Sequence, residues 1–170
     1  MEGIETGDNK KKFLQSALEE ISENPRAARL SSAVYQLEKV GEIELSQELT
    51  VVAQIGMIDL IFEEMNLFRN PDTTFLFYDS GLHWDIAHEV KKFPDSLSRI
   101  KSVEKLRELV NNFIEKVNSL VEEKDSSSSE YEAKKADMLS AYDEMLEEVE
   151  KVRPNYPTVE EIEAKIRGLL

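Results

Sequence analysis

From Val103 to Val152 the chain reads VEKLRELVNNFIEKVNSLVEEKDSSSSEYEAKKADMLSAYDEMLEEVEKV, and the fold turns on this stretch. Its first half places Val103, Leu106, Val110, Phe113, Val117 and Leu120 at intervals that alternate three and four without a slip. Its second half does the same with Tyr131, Lys135, Met138, Tyr142, Met145, Val149 and Val152, and Lys135 is the one polar member. Each is a heptad-type seam along one side of an α-helix. Between them Lys124 to Ser129 is polar and ends in four consecutive serines.

Folding the chain at that loop tests whether the seams meet. Val103 then faces Val152, Leu106 faces Val149, Val110 faces Met145, Phe113 faces Tyr142, Val117 faces Met138 and Leu120 faces Lys135. The paired residue numbers add to one constant, whose midpoint lies between Ser127 and Ser128. A loop of about five residues suits antiparallel helical neighbours. The spacing therefore predicts a long antiparallel helical hairpin over 95–153, capped at its start by Asp95 or Ser96. Its first seam is roughly 27 Å long at 1.5 Å per residue.

Outward from the hairpin, the pattern stays helical. Residues 1–9 carry two glycines and no periodicity and read as a disordered lead-in. The region 10–94 reads as a helical core. Phe13, Leu14, Ala17, Leu18 and Ile21 recur at helical spacing until Asn24-Pro25, where Asn24 is placed to cap a second helix with Pro25 in its first turn. That second helix carries Ala27, Leu30, Val34, Leu37 and Val40 and stops at Gly41. A third helix, 43–68, is apolar around most of its circumference, which marks a central element. Residues 154–170 break at Pro154 and Pro157 and resume as an amphipathic helix, with Thr158 and Glu161 as its capping box and Val159, Ile162, Ile166 and Leu169 as its stripe. This helix is expected to pack on the same domain.

One segment, 73–94, has two readings. Phe75, Phe77, the Asp79-Ser80-Gly81 turn and Leu82, Trp84, Ile86 spell a small β-hairpin near 74–86. Leu82, Ile86, Val90 and Phe93 instead spell a helix. The fold class expected is all-α, a bundle of about five to seven helices.

Charge and composition then narrow the function. Hydrophobic residues are 41% and charged residues 33% of the 170-residue chain, a balance typical of helix bundles with a charged exterior. The net charge of −14 repels phosphate backbones and anionic lipid, so direct nucleic-acid binding and membrane binding are not expected. No cysteine is present, which excludes disulfides, thiol catalysis and thiolate zinc sites. The start of the chain lacks an apolar signal segment, and Leu49 to Phe62 is too short and interrupted to span a bilayer, so the cytoplasm is the expected location.

Few constellations carry chemistry. Glu19, Glu20 and Glu23 spell E-E-x-x-E, but the next helix offers no E-x-x-D to complete a magnesium site, so they read as a solvated face. Asp85 and His88 have the D-x-x-H spacing of two ligands on one helical face. With Asp59 and Glu63, at i, i+4 on the central helix, they form the one candidate metal set, Asp59, Glu63, Asp85 and His88. The two histidines, His83 and His88, diverge by about 140° on a helix and cannot share an ion there. Trp84 and His88 are i, i+4 neighbours in the helical reading, a candidate binding pair. Glu144, Glu147, Glu148 and Glu150 make the end of the hairpin acidic, and the first three join Trp84 and His88 as candidate binding residues. No Gly-rich phosphate loop or G-x-S-x-G occurs, and no cofactor is expected.

The leading expectation is a non-enzymatic helical interaction module, a subunit or adaptor with an acidic surface, with a protein partner or a second copy as its ligand. The alternative is a small-molecule or metal-binding bundle, hydrolytic in one version, with its site around Asp59, Glu63, His83, Trp84 and His88. A weaker alternative is an acidic mimic of nucleic acid that occupies a basic groove.

Overall fold

The two seams are buried along almost their whole length. Val103, Leu106, Val110, Phe113, Val117 and Leu120 are each at most 1% exposed, and Met138, Tyr142, Met145 and Val149 are fully buried. These residues belong to a computed structural model that describes residues 7–23, 30–69, 100–123 and 128–170. Every element among the described residues is helical: α1 (Gly7–Glu23), α2 (Ser31–Lys39), α3 (Ile43–Leu60), α4 (Phe62–Arg69), α5 (Glu104–Glu122), α6 (Ser129–Val152) and α7 (Val159–Leu169), with short 3-10 turns at Lys101–Val103 and Arg153–Asn155. The chain is an all-α bundle. The 73–94 segment, with its helix or β-hairpin reading, lies outside the described residues. So do Asn24-Pro25, Asp95, Ser96 and the loop as far as Ser127.

Two compact units divide the chain, Met1–Met57 with Val152–Leu170, and Ile58–Lys151. The division differs from the segments read in the sequence, because it cuts the central helix rather than the chain near 95.

The second unit holds the hairpin. The Phe113 and Tyr142 rings, one of the six facing pairs, lie 5.5 Å apart with planes tilted by 51°, an arrangement aromatic quadrupoles favour. Near the loop, Lys134 Nζ reaches Glu123 at 3.8 Å, which ties the helices together beside the Leu120/Lys135 layer. α6 starts where Ser128 Oγ accepts the Tyr131 N–H at 3.0 Å, an N-cap bond. α5 starts later than the sequence suggested. Ile100 is not helical, a 3-10 turn follows, and Glu104 supplies the acidic first turn that a helix N-terminus favours.

The apolar run 43–68 is not one helix. α3 ends at Leu60, Ile61 is a turn, and α4 starts at Phe62. A helix end leaves its last carbonyls without intrahelical donors. The Tyr142 hydroxyl supplies one of them, donating to the Ile58 carbonyl. On the far side of the break Arg69 forks onto Asp143, with Nη1 at 3.0 Å from Oδ2 and Nη2 on Oδ1. Those hydrogen bonds, with the nearby carboxylate charge, raise the Arg69 pKa further against a smaller opposing effect of burial. Residues 53–58 of α3 are buried without interruption and so cover its whole circumference over that stretch.

The first unit packs α1, α2, the early part of α3 and α7 around one core. Leu14, Ala17 and Ile21 come from α1, Ala33 and Leu37 from α2, Leu45, Leu49 and Ala53 from α3, and Ile162 and Ile166 from α7. α1 begins at Gly7, so the lead-in expected through Asn9 gives way to helix three residues earlier, with Asp8 in the favourable first turn. α2 begins at Ser31; Leu30 is its non-helical N-cap, although its side chain still enters the core. Gly41 ends the α2 segment as the sequence predicts. Its φ is 81°, its N–H donates to Glu38 O, and the Glu42 N–H donates to Leu37 O, the two bonds of a Schellman stop. Thr158 caps α7 by accepting the Glu161 N–H at 3.2 Å, and Lys165 reaches Glu48 at 3.2 Å. Leu169 departs from the expected stripe and is 39% exposed. No helix among the described residues is long and apolar enough to cross a membrane.

Candidate functional site

A helix whose one side is held in a seam must present its other side outward. α6 does so mostly with acids. Its buried side is Tyr131, Met138, Tyr142, Met145, Val149 and Val152. Its exposed residues include Glu130, Glu132, Asp137, Asp143, Glu144, Glu147 and Glu150, against one exposed base, Lys151. Asp137 to Glu150 spans roughly 20 Å at 1.5 Å per residue.

Within that surface the acids sit close enough to oppose one another. Glu144 has Glu147 at i+3 and Glu148 at i+4, and Glu147 has Glu150 at i+3. Like charges at such spacing destabilise a helix by roughly 0.2–0.5 kcal/mol per pair. Asp143 is offset by its fork with Arg69. Glu144 and Glu147 have no ion-pair partner among the described residues.

The candidate residues read from sequence separate on the structure. Glu144 and Glu147 are exposed on α6, as a docking surface requires. Glu148 is not beside them on the outer face. It is 9% exposed and continues a second buried stripe, Ala141, Met145, Glu148 and Val152, flanking the main seam. Asp59 is exposed near the end of α3. Glu63 lies on α4, beyond the turn at Ile61, so it and Asp59 do not share one helix. Trp84, Asp85 and His88, and His83 with them, lie outside the described residues. Among the described residues no group of three or more metal-ligating side chains is arranged to hold an ion.

Two features escaped the sequence reading. The Arg69–Asp143 fork joins residues 74 positions apart, and nothing local announces it. A groove of about 430 Å³ runs between α1 and α2, lined by Asn9, Lys12, Phe13, Ser16 and Gln36. The run Lys10-Lys11-Lys12 in an otherwise acidic chain was the available signal for it.

No protein-family model matches this chain, and neither a curated protein nor a solved structure matches it.

Proposed function

We propose that this chain is a non-enzymatic helical interaction module, a subunit or adaptor, whose outward α6 face docks a basic segment of a protein partner. One observation carries the reading: one side of α6 is committed to the hairpin, while the other exposes seven acids against one base. Like-charge neighbours that weaken the free helix become favourable when cations approach, so the surface is better matched to a complex than to the isolated chain. The overall charge of −14 extends that attraction beyond contact and speeds encounter with a basic surface.

The test is isolation of the tagged chain at native abundance, with the mass of the recovered species measured by light scattering. The expected result is a stoichiometric complex that dissociates as salt rises, since a contact of exposed charges is screened within a Debye length of about 8 Å at physiological ionic strength. A strict monomer with no stoichiometric partner contradicts the reading.

A further inference from the structure

Arg69 and Asp143 both belong to the second unit. Arg69 Nη1 donates to Asp143 Oδ2 at 3.0 Å and Nη2 donates to Oδ1, so one guanidinium engages both carboxylate oxygens. That planar match is what distinguishes arginine from lysine as the partner of a carboxylate. The fork is also open to water, with the Arg69 side chain 34% exposed and that of Asp143 53% exposed. An ion pair so placed contributes little to stability and exchanges readily.

The position of Asp143 on α6 gives the fork a consequence. Asp143, Glu147 and Glu150 lie at i, i+4 and i+7 and form one exposed stripe of the helix. The stripe is part of the surface assigned above to a basic partner, and a guanidinium from α4 already sits on it. An arginine arriving at Asp143 meets a carboxylate whose two oxygens are engaged, and it must displace Arg69. Arg69 loses little by leaving. It lies in the last turn of α4, where the carbonyl end of the helix favours a positive charge. The Tyr142 bond to the Ile58 carbonyl is separate, so the end of α3 keeps its donor when the fork opens.

We propose, building on the docking role of α6, that Arg69 is an autoinhibitory stand-in for the partner. It competes for Asp143 with an arginine of the docking segment, and docking releases it. Competition of this kind lowers the partner's apparent affinity by the fraction of the surface left open. Removing Arg69 therefore strengthens binding, and because an exposed pair holds its closed state weakly, the gain is about two- to fivefold.

The test titrates the full chain into fluorescein-labelled hexa-arginine and hexa-lysine peptides and follows anisotropy. Arg69→Gln should bind hexa-arginine about two- to fivefold tighter than the parent. Lys165→Gln changes the net charge equally but lies in the first unit, paired with Glu48, and should bind as the parent does. In an Asp143→Asn background the gain from Arg69→Gln should vanish. Hexa-lysine should gain less, because an ammonium cannot make the fork. One readout needs no variant: the Arg69 Nε–H resonance of the parent should move to its unpaired position as hexa-arginine saturates. The proposal is overturned if Arg69→Gln brings no gain, or if Lys165→Gln or hexa-lysine matches that gain. A gain that survives Asp143→Asn, or an Arg69 resonance that stays in place at saturation, overturns it too. Equal binding by the parent and Arg69→Gln removes the stand-in and leaves the docking role of α6 intact. Failure of both to bind hexa-arginine removes the docking role as well.

Discussion

At the scale of single residues, Tyr142 joins the parts of the second unit. Its ring packs on Phe113, and its hydroxyl satisfies the Ile58 carbonyl at the end of α3. Tyr142→Phe keeps the ring and leaves that carbonyl without its donor. We expect a loss of about 1–2 kcal/mol in denaturant unfolding; a change within error would mean the bond contributes nothing. Ser128 is a second such point. Ser128→Ala removes the α6 N-cap and should cost about 1 kcal/mol, read as faster amide exchange in the first turn of α6. Of the two, only the ring was legible in the sequence. A tyrosine at a seam position announces burial, but the partner of its hydroxyl is 84 residues away, and no local pattern encodes that. Glu148 misleads for a related reason. A glutamate among glutamates reads as surface, yet its place three residues after Met145 and four before Val152 puts it on a buried stripe.

At the scale of elements, the hairpin register is the sharpest expectation, and its Phe113/Tyr142 layer is seen directly. A cysteine-free chain permits a clean test of another layer. Val110→Cys with Met145→Cys should oxidise to a disulfide, because the expected register sets these positions opposite each other and the bond needs Cα atoms only about 4.4–6.8 Å apart. Val110→Cys with Met138→Cys, displaced by seven residues, should stay reduced. Disulfide formation in the second pair but not the first would show a different register. The hairpin was readable because two regular seams and one polar loop had to agree. The break at Ile61 was not, since the apolar pattern runs through it without a proline, and Gly56 is already inside α3. What divides α3 from α4 is tertiary: Tyr142 supplies a donor before the turn, and Asp143 holds Arg69 after it.

At the scale of the whole molecule, charge is the property that connects fold to function. The fold can be built with a mixed surface; the sequence instead concentrates acids on the exposed side of α6. Under the proposed function that choice has a measurable consequence, because a surface kept for binding is not optimal for stability. Glu144→Lys with Glu147→Gln removes the Glu144–Glu147 and Glu147–Glu150 repulsions and replaces Glu144–Glu148 repulsion with attraction. Summed over those changes, less the Glu147–Lys151 i, i+4 attraction that Glu147→Gln gives up, the gain should be about 0.6–1.5 kcal/mol, or a rise in Tm of about 2–4 °C for a chain of this size. The most direct measurement takes thermal unfolding and recovery of the stoichiometric partner on this one doubly substituted protein. The account predicts opposite signs: a higher Tm and a lost partner. A higher Tm with the partner fully retained would contradict it, because the acids would then serve solvation alone.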